Sequence, residues 1–323
     1  MNRRRLTGTA SHRRRAAIRS LALLLVAWPP PLPARQPADG AADAVLVTVG
    51  GASITRADLA AFERRRQPAR PVDAGRRQEV DATALEQLVD ERLLTAAIAA
   101  AGITITPADV RVAVDQLRTQ LQANGGGTLE KALEGTGDGM AALERRIEFD
   151  LAVARLVAPR VDADAIAAAF ARHRRDLDGT RVRVSHVLLR PDMGAGDEAL
   201  AASLRRAADI RTAILDRTLS FAEAAARHSA GPSRHRGGDL GVMDRRRDVN
   251  EAFAREAFAL SVGDVSQPFA TPFGVHIVTV TGIEPGTATL EQVRPQAERL
   301  AAQHAIRQLL AELRKTTPIT YHR

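Results

Sequence analysis

The chain has 323 residues, enough for two domains with separate cores, and 45 % of them are hydrophobic while only 3 % are aromatic. Its formal net charge is +8, but seven arginines and no acidic residue fall in the first 34 positions, which accounts for all but one of those charges. A near-neutral body with few aromatics to stack bases excludes nucleic-acid binding as the expected function, and the absence of cysteine removes disulfides and thiol chemistry.

Residues 1–34 read as an export signal: a basic stretch to Arg19, an apolar run Leu21 to Trp28, then Leu32-Pro33-Ala34. The apolar run is far shorter than the roughly 20 residues a bilayer span needs, so no stable membrane insertion of the body is expected. The expected location is exported and periplasmic, with the signal cleaved near Ala34 or kept as a short tether.

A linker, 35–44, precedes Val45 to Val49, which alternate as a strand; Gly50-Gly51 then make a hairpin turn into Ala52-Ser53-Ile54. Thr55 caps a helix with Asp58 as its box partner, and Pro68 and Pro71 end it. A second helix is predicted from about Ala82 to Gly102, carrying Leu85, Leu88, Val89, Leu93 and Leu94 on one face. The third starts at Thr106-Pro107 and presents Val110, Val114, Leu117 and Leu121 before Gly125-Gly126-Gly127. The fourth spans Met140 to Val157, and another runs from about Ala163 to Arg174.

From Arg181 the texture becomes mixed. Val182, Val184, His186 and Leu188 alternate as a strand, helices are predicted over about Glu198 to Asp216 and Phe221 to His228, and strands return at Phe269 to Thr271 and Val275 to Val280. Gly282, Pro285 and Gly286 mark a boundary, after which a long helix, about Leu290 to Arg314, leads to a terminal strand Ile319-Thr320-Tyr321.

Four segments occur in order between 181 and 284: Val184-Ser185-His186-Val187-Leu188-Leu189, Phe221-Ala222-Glu223-Ala224-Ala225, Gly237-Gly238-Asp239-Leu240-Gly241, and Thr271-Pro272-Phe273-Gly274-Val275-His276-Ile277-Val278. Together they resemble the parvulin family of peptidyl-prolyl cis/trans isomerases. The resemblance implies a small antiparallel sheet wrapped by helices, with His186 and His276 facing each other beneath an apolar proline pocket. It further implies Leu240, Val249 and Phe253 as pocket walls, Phe273 at the mouth, and Thr271 in the hydrogen-bonded network under the floor. Val249 stands where many members have Met, and Gly231 where members commonly carry Cys or Asp.

Two roles stay open for the histidines: acid/base groups, or buried groups that fix shape by hydrogen-bonding each other. Arg245-Arg246-Arg247 read as a solvated loop, and His228, His235 and Asp244 show no repeating ligand spacing, so neither metal nor cofactor is expected. Segments 45–178 and 287–323, through Val47 to Thr55 and the terminal helix and strand, resemble the peptide-holding domain of SurA-type and PrsA-type exported chaperones.

The expectation is therefore an α+β chain: a parvulin-like domain, 181–284, inserted in a mainly helical chaperone domain made from 45–178 and 287–323. Its expected partners are unfolded or nascent exported polypeptides containing proline, with no nucleic acid. The expected activity is isomerisation of X-Pro bonds, or else peptide holding with little turnover. Since Gly231 lacks a side chain to tune the pocket, Gly231→Asp is expected to raise kcat/KM.

Overall fold

The computed structural model describes residues 44–66, 74–125, 127–134, 139–191, 196–245 and 250–322. The expected export signal, most of the linker, Pro68, Pro71, Gly126, Arg246, Arg247 and Val249 lie outside them. No helix among the described residues is long and apolar enough to cross a membrane. By contacts the chain divides into two units, residues 1–169 with 298–323, and residues 170–297.

The first unit opens on the predicted hairpin, β1 (Val45–Val49) and β2 (Ala52–Thr55). Gly50 and Gly51 turn it at φ +55° and +89°, a region closed to most side chains. Thr55 and Asp58 cap α1 (Arg56–Arg66) reciprocally, each side chain taking the other's backbone N–H. Helix α2 (Ala74–Ala100) starts eight residues before the expected Ala82. Those residues are mostly polar good helix formers, so they extend the helix without lengthening the apolar stripe.

Helix α3 (Pro107–Ala123) starts at the expected Thr106-Pro107, where Thr106 and Asp109 form a reciprocal capping box, and a short unforeseen helix, α4 (Leu129–Glu134), precedes α5 (Met140–Val157). Leu129, Val114, Ile147 and Leu151 form one apolar cluster among these helices.

The end of the chain completes this unit. Strand β7 (Ile319–Tyr321) pairs antiparallel with β1, giving a three-stranded sheet in the order β2-β1-β7. The main core collects Val47, Val49 and Ile54 of the sheet, Phe62 of α1, Leu88, Val89, Leu93 and Leu94 of α2, and Leu309 and Leu310 from the last helix. Arg314 grips Asp90 through Nε and Nη2 at 2.9 and 2.6 Å and Glu86 through Nη1 at 2.8 Å. Tyr321 donates to Glu86 at 2.6 Å.

The second unit begins with the end of α6 (Ala163–Arg172) and the single turn α7 (Arg174–Leu177). Its sheet comprises β3 (Arg181–Leu189), β4 (Asp239–Asp244), β5 (Phe269–Thr271) and β6 (Gly274–Glu284), all antiparallel in the order β4-β3-β6-β5. Both faces are covered. On one, α8 (Gly196–Leu215) and α9 (Phe221–His228) pack against Val187, Leu189, Val275 and Ile277. On the other, α10 (Glu251–Ala259) lays Phe253, Ala254, Ala257 and Phe258 on Val182, Val184, Val278 and Val280. Two-sided burial explains why β3 is buried almost throughout rather than at alternate residues.

Strand β6 continues through Gly282 to Glu284, four residues past the expected Val280, because Gly282 and Glu284 pair with Arg183 and Arg181. The chain enters and leaves this unit at one place. Asp178 accepts from the backbone and hydroxyl of Thr180 at 2.9 and 2.6 Å. The Asp178 carbonyl accepts from Ala288 N, and Thr180 Oγ1 accepts from Gly286 N. Helix α11 (Arg294–Thr316) then runs on to β7.

Together these elements make an α+β chain, a small antiparallel sheet with surrounding helices carried in sequence within a mainly helical unit.

Candidate active site

His186 comes from β3 and His276 from β6, and the register puts both on the α10 face. His186 lies opposite Val278 and His276 opposite Leu188, so the two are diagonal neighbours, not a direct pair. Diagonal spacing sets them one ring apart: the centroids are 5.6 Å apart and the planes tilted by 32°. The expected hydrogen bond between them is absent. Both nitrogens of His186 and Nδ1 of His276 are buried without a partner.

What surrounds the imidazoles is aromatic. Phe253 meets them edge-on at 6.1 and 5.3 Å, and Phe269 stacks on His276 at 5.5 Å with only 19° between planes. Phe253 is held at the first turn of α10 by Asn250, whose Oδ1 accepts from Ala252 N and Phe253 N. The Asn250-Glu251 cap followed by apolar Phe253, Ala257 and Phe258 is the sequence signal for this helix. Phe269 shows in the sequence only a strand pattern; its pairing with His276 across β5 and β6 brings it to the site.

Burial sets the electrostatics. Loss of water lowers the pKa of His186, and burial, reinforced by the neighbouring His186, pushes His276 down to about 4. Both are neutral near pH 7. Thr271 Oγ1 and His276 Nε2 share a 2.8 Å hydrogen bond, and Thr271 Oγ1 also accepts from Phe273 N at 3.1 Å. Phe273 is 66 % exposed and Leu240, on β4, 36 % exposed.

Gly231 precedes a 3-10 turn, Pro232–Arg236, with φ −77°, a conformation open to any residue. The position is crowded: a Cβ there would lie 2.9 Å from His186 Nε2 and 3.3 Å from Ser229 Oγ. A side chain at 231 would therefore need the His186 imidazole to shift. Gly238, at φ +82°, allows a second close approach, since a Cβ there would lie 2.4 Å from the His186 carbonyl. Ser229, unforeseen from the sequence, is buried, and its hydroxyl accepts from Leu188 N at 3.1 Å and Gly231 N at 3.2 Å.

The structure thus gathers His186, His276, Thr271 and Phe253, sets Gly231 against His186, and leaves Leu240 and Phe273 with exposed faces. Val249 lies outside the described residues. Among the described residues no cluster of three or more His, Asp or Glu side chains could hold a metal ion.

Residues 186–282 match the family model of the PPIC-type PPIase domain, a rotamase. Those residues thus carry a PPIC-type PPIase domain, and the chain is similar to SurA and PrsA proteins. Among curated relatives, Chaperone SurA of Idiomarina loihiensis is 31 % identical over 140 residues, which cover 43 % of this chain and 32 % of that one. Peptidyl-prolyl cis-trans isomerase Pin1 of Digitalis lanata is 41 % identical over 73 residues, covering 23 % and 61 %. The crystal structure of the peptidylprolyl isomerase PrsA of Bacillus anthracis aligns over 72 % of this chain and 96 % of its own, at 21 % identity and a TM-score of 0.35. The chain spans about a third of the length of the curated chaperones it matches.

Proposed function

We propose that this chain is an exported prolyl isomerase and folding chaperone that acts on X-Pro bonds of unfolded polypeptides in the periplasm. The observation that carries the reading is the buried cluster of two imidazoles and two phenyl rings, His186, His276, Phe253 and Phe269.

Rotation about a peptide bond faces about 18–20 kcal/mol because resonance gives the C–N bond double-bond character. Exchange of X-Pro bonds unaided takes tens to hundreds of seconds. Leu240, Val249, Phe253 and Phe273 capture the proline ring and strip water from its amide, which favours the twisted, less delocalised geometry. His186 and His276, kept neutral by burial, shape the floor with Thr271, and Gly231 lets the His186 ring close against the loop. Proton transfer through imidazolium is not part of this mechanism.

Segments 45–178 and 287–323 form the peptide-holding domain, into which the 181–284 isomerase domain is inserted in sequence, and residues 1–34 direct export. A second site that holds the client raises the effective concentration of its prolines at the first.

Turnover of a short X-Pro peptide, followed by exchange NMR, is the test. Catalysis lost in Phe253→Ala is the expected result, and an inert wild type that still suppresses aggregation of unfolded clients would favour a holdase instead. The absence of any side chain at Gly231 is what motivates that second reading. Deleting residues 1–34 is expected to trap the protein inside the cell, and full-length protein found in the cytoplasm would contradict export.

A further inference from the structure

Building on that isomerase reading, we propose that Ser229 is a positioning residue: its hydroxyl fixes the main chain at Gly231 against the imidazole of His186.

The segment from Ser229 to Gly238 is tied to β3 on both sides of His186. At its far end, His186 N donates to Gly238 O at 3.0 Å, and Gly238 N donates back within the segment to Ser233 O at 3.0 Å. At its near end, Ala230 N donates to Leu188 O at 2.7 Å, while Ser229 Oγ accepts from both Leu188 N and Gly231 N. The far tether is entirely backbone, so side-chain replacement leaves its partners in place. The near tether has one side-chain atom at its centre, and that atom joins the strand bearing His186 to the residue packed on its ring.

Glycine at 231 makes this hydroxyl matter more. With no side chain of its own, Gly231 holds station only through its backbone, and its N–H is spent on Ser229. Replacing Ser229 by alanine strands two donors in a buried region, at Leu188 and Gly231, and the loop must shift to find acceptors for them. The wall beside His186 Nε2 moves with it, whereas Phe253, on α10, keeps its own cap. Peptide capture therefore survives better than turnover.

Ser233 supplies a matched control. It belongs to the same segment and is equally buried, but its hydroxyl has no hydrogen-bond partner.

The experiment compares full-length wild type, Ser229→Ala and Ser233→Ala on one X-Pro peptide, with 1H–15N spectra of the His186 ring recorded alongside. Ser229→Ala is expected to lower kcat roughly tenfold with KM within about twofold, and to shift the His186 resonances. Ser233→Ala is expected to change neither. If Ser229→Ala fails to fold, Ser229→Cys keeps the size with a weaker acceptor and is expected to show the same shift and a smaller loss. Wild-type kcat and unshifted His186 resonances in the Ser229 variant, or equal losses in the Ser233 control, would overturn the proposal. An inactive wild type would count against the isomerase reading alone, because the His186 resonances still report the positioning.

Discussion

The two faces of the isomerase sheet are made by the same central strands, yet they are put to different use. Toward α8 and α9, Val187, Leu189, Val275 and Ile277 interlock with alanines and aliphatics. Toward α10, one residue along each strand, His186 and His276 occupy comparable depth with three ring nitrogens unpaired. Buried polar atoms without partners cost about 1–3 kcal/mol each, so the second face gives up stability that the first face supplies. Fold and site are thus separable within a single sheet, residue by residue along the pleat.

The largest expected effect is on the apolar face. Ile277→Ala removes a fully buried side chain and is expected to cost about 2–5 kcal/mol in denaturant unfolding, with activity per folded molecule unchanged. A specific activity that fell with stability would mean that the faces are coupled.

The imidazole face is expected to respond to acid. The folded pKa of His276, about 4, lies below the ordinary value near 6.5, so the unfolded chain takes up the proton more readily. Stability is then complete above pH 6.5 and declines as pH falls through 6.5 toward 4, by roughly 3 kcal/mol for this residue. Unfolding midpoints between pH 7 and 4.5 measure the slope, and His276→Leu is expected to flatten it.

His186→Leu sharpens the comparison from the other side. It removes two unpartnered nitrogens and is expected to raise stability by about 1 kcal/mol while lowering kcat/KM at least about tenfold. Retained turnover would assign His186 to packing alone. The smallest effect is expected at Gly231: Ala or Asp there must displace the His186 ring, giving a loss of about three- to tenfold in kcat/KM with little change in unfolding. A faster Gly231→Asp enzyme would mean that the ring moves aside at no cost.

Much of this molecule is written in short-range pattern. The Thr55 capping box, the helix start at Thr106-Pro107, the Gly50-Gly51 hairpin and the helix from Met140 to Val157 depend on neighbours at most four positions away, and each is present in the structure. Helix α4 is too short to show a sustained period, α10 is signalled only by its Asn250 cap and the spacing of Phe253, Ala257 and Phe258, and α2 begins in residues that carry no apolar stripe. The two histidines were legible through the motifs around them. Their diagonal offset, the stacking of Phe269 and the bridging hydroxyl of Ser229 depend on cross-strand register and on contacts 41 residues apart, which no local pattern encodes.

The hydrogen bonds that join Asp178 and Thr180 to Gly286 and Ala288 also change what the host domain has to close. Left open, the intervening chain would be a loop of about a hundred residues; with its ends joined by the folded insert, it acts as a tie of about ten, which lowers the closure entropy by about 2 kcal/mol. Strand β7 can then find β1 as though the isomerase were a short turn. An insertion whose ends are joined in this way adds little to the closure entropy of the chain that flanks it.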